Sequence, residues 1–272
     1  RHRFSLGYGL HSKQQSVITY LAKSYLSDGT YLQTNKKIGF TKAQHFVFGY
    51  DFRVNEFTRL KTETYFQYLY NVPVETRPSS FSMLNTSVYP GEYELLVVDS
   101  LSNTGTGKNY GVEITLERFF HKNFYFLTTA SFFNSSYKGS DGKERNTQFN
   151  SNYIFNFLIG KEFKIAANKT LFVDFKTTFA GGKRYTPIDL EKSMLKGETI
   201  RDESLAFSKQ YEPYWKGDIK FGVRIEGKKF SQEIAVNADN FTNHKNILWD
   251  SYNHYKQKIE TQYQFGIMPG GY

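Results

Sequence analysis

The chain has 272 residues, 39% of them hydrophobic, and no stretch approaches the roughly 20 consecutive apolar residues of a membrane helix, so a helical membrane protein is excluded. It contains no cysteine, which excludes a disulfide scaffold and a cysteine-based zinc site. Its net charge of +9 is scattered along the whole chain without a basic stripe, which argues against nucleic acid and favours anionic lipid or an acidic ligand.

Taken in order, the sequence predicts ten strands of period-two hydrophobicity. The first, 3–11, sets Phe4, Leu6, Tyr8 and Leu10 against Ser5, Gly7, Gly9 and His11. After a long polar loop to about residue 43, the second, 45–54, sets Phe46, Phe48, Tyr50 and Phe52 against Val47, Gly49, Asp51 and Arg53. Asn55, Glu56 and Phe57 make a tight connection to the third, 58–70, with Leu60, Thr62, Thr64, Phe66 and Tyr68 on one face. The longest loop is predicted over 71–108. The fourth strand alternates Tyr110, Val112, Ile114 and Leu116 with Gly111, Glu113, Thr115 and Glu117, and His121-Lys122 form a two-residue turn.

The fifth strand, 123–134, is aromatic on both faces and cannot be oriented from the sequence. A loop rich in Gly, Ser and Asp follows, over 135–147. The sixth carries Tyr153, Phe155, Phe157 and Ile159 on its apolar face; 166–169 turns into the seventh, with Leu171, Val173, Phe175 and Phe179. Within the next loop, 181–213, Asp189 as N-cap and Gly197 as terminator predict two helical turns. The eighth strand sets Trp215, Ile219, Phe221, Val223 and Ile225 against Lys216, Asp218, Lys220, Arg224 and Glu226. Residues 227–229 turn into the ninth, with Ile234, Val236 and Ala238 apolar. A loop rich in Tyr, Lys and His leads to the tenth, placed at 261–268.

The connections alternate strictly, long then short. An outer-membrane barrel has this pattern, with tight turns on the periplasmic side and long loops outside. Most of the strands span about 9–13 residues, close to the 9–11 that cross a bilayer and longer than the usual 5–6 of soluble sheets. Charges on the polar face suit a water-filled lumen. Aromatic content of 18% suits the girdles at the two membrane interfaces. The predicted fold class is therefore all-β, an antiparallel transmembrane β-barrel located in the bacterial outer membrane.

The segment 107–117, GKNYGVEITLE, resembles a strand motif of TonB-dependent outer-membrane receptors, in particular those of Bacteroidetes type. The segment 181–189, GGKRYTPID, is similar to another from that group, and 236–243, VNADNFTN, resembles its penultimate strand. The resemblance runs the whole length and implies roughly the last ten strands of a 22-stranded barrel. The family's plug domain and TonB-contact segment have no counterpart in the sequence, so residues 1–272 are expected to be the C-terminal part of the barrel, cut at both ends. What the resemblance implies is TonB-energised uptake of a scarce nutrient: a small molecule, an oligosaccharide or a peptide. The expected partners are outer-membrane lipid, lipopolysaccharide and TonB, the last through the plug region. A complete small barrel acting as channel or hydrolase, and a soluble all-β binding module, remain as alternatives.

No cofactor, metal site or catalytic set is expected. The six histidines, His2, His11, His45, His121, His244 and His254, lack metal-ligand spacing. No nucleophile elbow accompanies the lumen carboxylates Asp51, Glu63, Glu113, Asp174, Asp218 and Glu233, which are expected to pair with Lys61, Lys176, Lys220 and Arg224 across neighbouring strands. Gly105 to Lys108 lacks the full spacing of a phosphate loop. Aromatic and basic residues do gather in the loops: Tyr89, Tyr93, Arg184, Tyr185, Tyr211, Trp249, Tyr252 and Tyr255. Of these, Arg184, Tyr185, Tyr211, Trp249 and Tyr252 are the candidates for ligand capture at an external mouth; girdle anchoring and loop self-packing are the plainer roles open to the same residues.

Overall fold

The computed structural model describes residues 1–86, 98–264 and 266–271, with the backbone alone for 268–271. Ten strands form one antiparallel sheet in which almost every strand pairs with its neighbours in sequence. They are β1 His2–Lys13, β2 Thr41–Arg53, β3 Thr58–Glu75, β4 Leu101–His121, β5 Phe124–Lys138, β6 Tyr153–Ala166, β7 Lys169–Ala180, β8 Tyr214–Glu226, β9 Ser231–Asp239 and β10 Met268–Gly271. A short strand, Glu144–Asn146, adds to the loop end of β5. No described helix is long and apolar enough to cross a membrane, which leaves crossing by strands untouched.

The register confirms the two-faced reading. One row of partners runs Phe4, Tyr50, Thr62, Ile114, Ala130, Phe155, Phe179, Trp215 across eight strands. A second runs Tyr8, Phe46, Phe66, Tyr110. This face is left uncovered by the protein: Leu6 is 84% exposed and Phe221 50%. A soluble sandwich would bury such a face against a second layer. The fifth strand is now oriented. Phe126, Thr128, Ala130 and Phe132 share the apolar face, and Tyr125, Leu127, Thr129 and Ser131 point to the charged one.

Three expectations need correction. Strands β3 and β4 run well past 70 and start well before 110, so the longest loop is 181–213 and not 71–108. Pro73, Gly105 and Gly107, all poor strand formers, hid this extension. The ladder tolerates Pro73 because the register slips on either side of Val72. Gly105 is required because a Cβ at this position would collide with the side chain of Val74 and the backbone carbonyl of Val72. Secondly, the two-residue turn is Lys122-Asn123, one residue later than expected; both have positive φ, 53° and 60°, as a type I′ turn demands.

Thirdly, residues 258–263 do not belong to the tenth wall strand. Lys258–Tyr263 pairs with Ile247–Asn253 in a separate hairpin inside the loop, and the wall strand begins at Met268. Ile259, Thr261 and Tyr263 carry the right period, but Tyr252 and its neighbours offer them a partner close in sequence. The helix is as expected: Leu190–Lys196, with the Asp189 carboxylate accepting from Lys192 N–H and Gly197 left-handed at φ 73°.

The buried core lies outside the sheet's middle. Among the described residues, the largest fully buried side chains are Val72, Pro73, Val74, Ser82, Tyr137, Asn150, Ser193 and Asn35, and all sit at the long-loop end. The wall is thin and two-faced; the loops form the packed body.

Candidate functional site

The charged face of the sheet holds ladders of ion pairs. Arg224 reaches Glu233 at 3.2 Å and Lys220 reaches Glu233 at 3.3 Å, both across neighbouring strands as expected, and Arg224 also reaches over β7 to Glu162 of β6 at 3.1 Å. Lys61 pairs along its own strand with Glu63 and Lys216 along its own with Asp218 at 3.1 Å, while Arg59 of β3 pairs with Asp51 of the neighbouring β2. Asp174 accepts instead from the Tyr125 hydroxyl at 2.8 Å. Against expectation, Glu113 and Lys176 make no ion pair among the described residues, and Glu113 stands opposite Glu63 in the ladder. Residues 105–108 lie inside β4, where no phosphate loop can form. Among the described residues, no group of three His, Asp or Glu side chains is placed to hold a metal ion.

The long loops pack into one assembly. Tyr137 donates to the Ser80 carbonyl at 2.8 Å and meets Phe207 edge-on. The Ser80 hydroxyl donates to Glu203 at 2.7 Å. Asn150, wholly buried, accepts from Ser135 N–H and donates to Asn134 and Asn146. Asn35 plays the same part for the first loop, donating to the Thr19 and Val98 carbonyls and accepting from Leu101 N–H. A buried amide that satisfies several backbone groups fixes a loop without an apolar core.

The five loop candidates fall within this assembly. Arg184 donates to the Asn150 carbonyl at 3.1 Å and to the Asn152 side chain at 2.8 Å, so its guanidinium ties two loops together. Tyr185 stacks on Tyr211 with ring centroids 4.0 Å apart and planes 10° from parallel. The Tyr211 hydroxyl accepts from Asp250 N–H at 3.0 Å, and its burial pushes its pKa up. Arg201 donates to the Thr186 and Asp250 carbonyls, both at 2.9 Å, which joins loop 181–213 to the 247–263 hairpin. Tyr252 is buried on that hairpin, and Trp249, half-buried, pairs with Gln262. The structure therefore brings Arg184, Tyr185 and Tyr211 together and couples them through Asp250 to the strand carrying Trp249 and Tyr252. Of the other aromatics named above, Tyr255 is fully exposed, and Tyr89 and Tyr93 lie outside the described residues.

Sequence reasoning missed a cleft of about 800 Å³ at the foot of this assembly, lined by Phe179, Trp215, His244, Lys245, Ile247 and Tyr263 among others. Phe179 and Trp215 had been read only as wall residues. A Trp at the loop end of one strand, with a His-Lys pair in the next long loop, was the available signal.

Loop 139–152 carries a titratable clasp. The Arg145 guanidinium, bidentate to Asp141, holds that carboxyl below its ordinary 3.8. A lowered carboxylate pKa stabilises the fold above the ordinary value, and the contribution is lost as pH falls through the lowered one. Protease cleavage within 139–152 is thus expected to rise as pH drops below 3.8, whereas Asp141→Asn is expected to cleave readily at neutral pH with little further change on acidification.

No protein-family model matches this sequence, and no curated protein does. Solved structures do. The ferric-catecholate import receptor Fiu from K12 E. coli matches with a TM-score of 0.59 at 11% identity, over 96% of this chain and 31% of its own. The ferric yersiniabactin uptake receptor FyuA from Yersinia pestis matches at 0.57 and 13%, over 99% of this chain and 33% of its own. FpvA of P. aeruginosa, solved with heterologous pyoverdines, matches at 0.60 and 11%, over 98% and 30%. The chain spans about a third of the length of these structures. At such identities the likeness is one of fold, and the fold of this chain is that of the β-barrel of the TonB-dependent outer-membrane receptors.

Proposed function

We propose that residues 1–272 supply ten wall strands and the external loops of an outer-membrane transporter that takes up a scarce nutrient with energy delivered by TonB. The observation that carries this reading is the asymmetry of the sheet: every long loop leaves the same end, and the described loop residues pack into one body above a wall that is apolar on one side and ion-paired on the other. The wall itself would do no covalent chemistry. Both sheet edges lack a further partner among the described residues, and β1 presents an edge of exposed Phe4, Leu6, Tyr8 and Leu10. Such an edge invites aggregation unless paired, so in this reading further strands complete the barrel, and a plug region carries the TonB contact. The loop residues Arg184, Tyr185, Tyr211, Trp249 and Tyr252 shape the capture surface, holding loops in place as much as touching cargo. The aromatic rows of the apolar face and the net positive charge suit an outer leaflet of anionic lipid, lipopolysaccharide included.

Ferric chelates are the first cargo to test, since the matched receptors import them by name. Cells carrying the intact gene are expected to accumulate a labelled ferric chelate and to stop when a protonophore collapses the inner-membrane gradient, while surface binding persists. Accumulation indifferent to the gradient would mean a passive channel. The lumen cations favour acidic cargo, so binding is expected to weaken with salt; equal binding of acidic and neutral chelates at low and high salt would remove that preference.

A further inference from the structure

The cleft beneath the loop assembly opens on the apolar side of the wall. Its floor is Thr177 and Phe179 of β7 and Trp215 of β8, which the register places on that face. Ile247 and Tyr263 of the loop hairpin form its other wall, and Glu212, Pro213, His244 and Lys245 stand around it. It is a built feature. The Trp215 indole N–H donates to Thr177 Oγ1 at 3.0 Å, and the buried Asn246 amide brackets the Trp215 backbone, accepting from its N–H at 2.9 Å and donating to its carbonyl at 2.8 Å. His244 meets the indole edge-on at 5.7 Å. Yet Phe179, Trp215 and Tyr263 stay 40–50% exposed, so the described residues do not fill the space they frame.

Position and charge identify the occupant. The floor lies one to three residues inside the loop ends of β7 and β8, the level at which an aromatic girdle meets lipid head groups. Lys245 is exposed and has no ion pair among the described residues, with His244 beside it. Glu212, which also lines the cleft, disfavours an anion beside it and leaves Lys245 as the anchor. We propose that this cleft seats one acyl chain of a phosphorylated outer-leaflet lipid, with the lipid phosphate on Lys245. The proposal rests on the outer-membrane reading given above. Apolar contact with Phe179, Trp215, Ile247 and Tyr263 holds the chain, and the cation selects the anionic head group.

The test uses the full-length protein extracted in mild detergent and native mass spectrometry with added lipid A, a diphosphorylated lipid. Lys245→Gln is expected to lower lipid A occupancy about five-fold, the effect of one basic residue at an anionic membrane surface, and to leave occupancy by uncharged diacylglycerol unchanged. Ile247→Asp is expected to lower both. Inorganic phosphate at millimolar concentration is expected not to compete. Unchanged lipid A occupancy in both variants, or full competition by inorganic phosphate, overturns the proposal. Wild-type protein missing from the outer-membrane fraction would instead sink the membrane reading itself, so the two failures are distinguishable.

Discussion

Ile114→Arg in the intact protein is expected to lower the folding free energy in lipid vesicles by about 2–4 kcal/mol, the cost of a cationic side chain on the lipid face near the bilayer midplane. Ile114 lies near the middle of the membrane-length part of β4, and its register partners Thr62 and Ala130 offer no counter-charge. Ser131→Arg is the matched control. Ser131 lies one residue from Ala130 on the opposite face, directly across from Glu113, where a guanidinium gains a partner and stays wet. Its cost is expected to stay below about 1 kcal/mol. Urea titration of the two variants in the same vesicles measures the difference. Equal costs would mean that the apolar face does not meet lipid, and the two-faced wall would need another explanation.

The same alternation explains why the wall was legible in the sequence. A side-chain period of two leaves apolar residues at every second position, and in this chain the opposite positions are charged often enough to mark the faces: Glu113 and Glu117 on β4, Lys216, Lys220 and Arg224 on β8. Where both sets are aromatic, as in Phe124 to Phe133, the period vanishes and only the pairing partners decide. The tenth strand failed for a related reason. Period-two hydrophobicity shows that a segment is a strand and is silent about which sheet it joins, so Ile259 and Tyr263 read equally well as wall or as loop hairpin. The helix at Leu190–Lys196 was legible because its caps are local chemistry, Asp189 before and Gly197 after.

The candidate site was less legible than the wall, because the loops are held by buried polar side chains. Asn35, Asn150 and Ser193 are wholly buried, yet as residue types they read as solvent-exposed loop. Composition pointed to Arg184, Tyr185, Tyr211, Trp249 and Tyr252 as a group. It could not show that the Arg184 donors are spent on Asn150 and Asn152, since that bond joins different loops.

Gly182→Ala is expected to release this assembly while leaving the wall intact. A methyl group at residue 182 would collide with the backbone carbonyl of Tyr211, and the neighbouring Gly181 faces the carbonyl of Ser151 in the same way. Backbone cannot yield as a flexible side chain does. Relief would break the bond from Tyr211 N–H to the Lys183 carbonyl and the pairing of Arg184 with Gln210, and with them the stacking of Tyr185 on Tyr211. Overpacking of this kind costs about 1–3 kcal/mol, so amide exchange across 181–213 and 247–263 is expected to speed up about ten-fold or more while β4 to β7 keep their protection. Gly142→Ala separates space from conformation. Gly142 has φ 73° with nothing within 4 Å of an added methyl, so only the left-handed backbone is penalised, and the effect is expected to stay inside loop 139–152. If Gly182→Ala leaves loop exchange unchanged, the close approach of residues 182 and 211 does not exist in solution. If the wall strands lose protection together with the loops, the two are one cooperative unit, and capture and wall cannot be tuned separately. The expected outcome is the separable one, and on the transporter reading proposed above cargo affinity falls with loop order, because unfastened loops must be ordered again at each binding event.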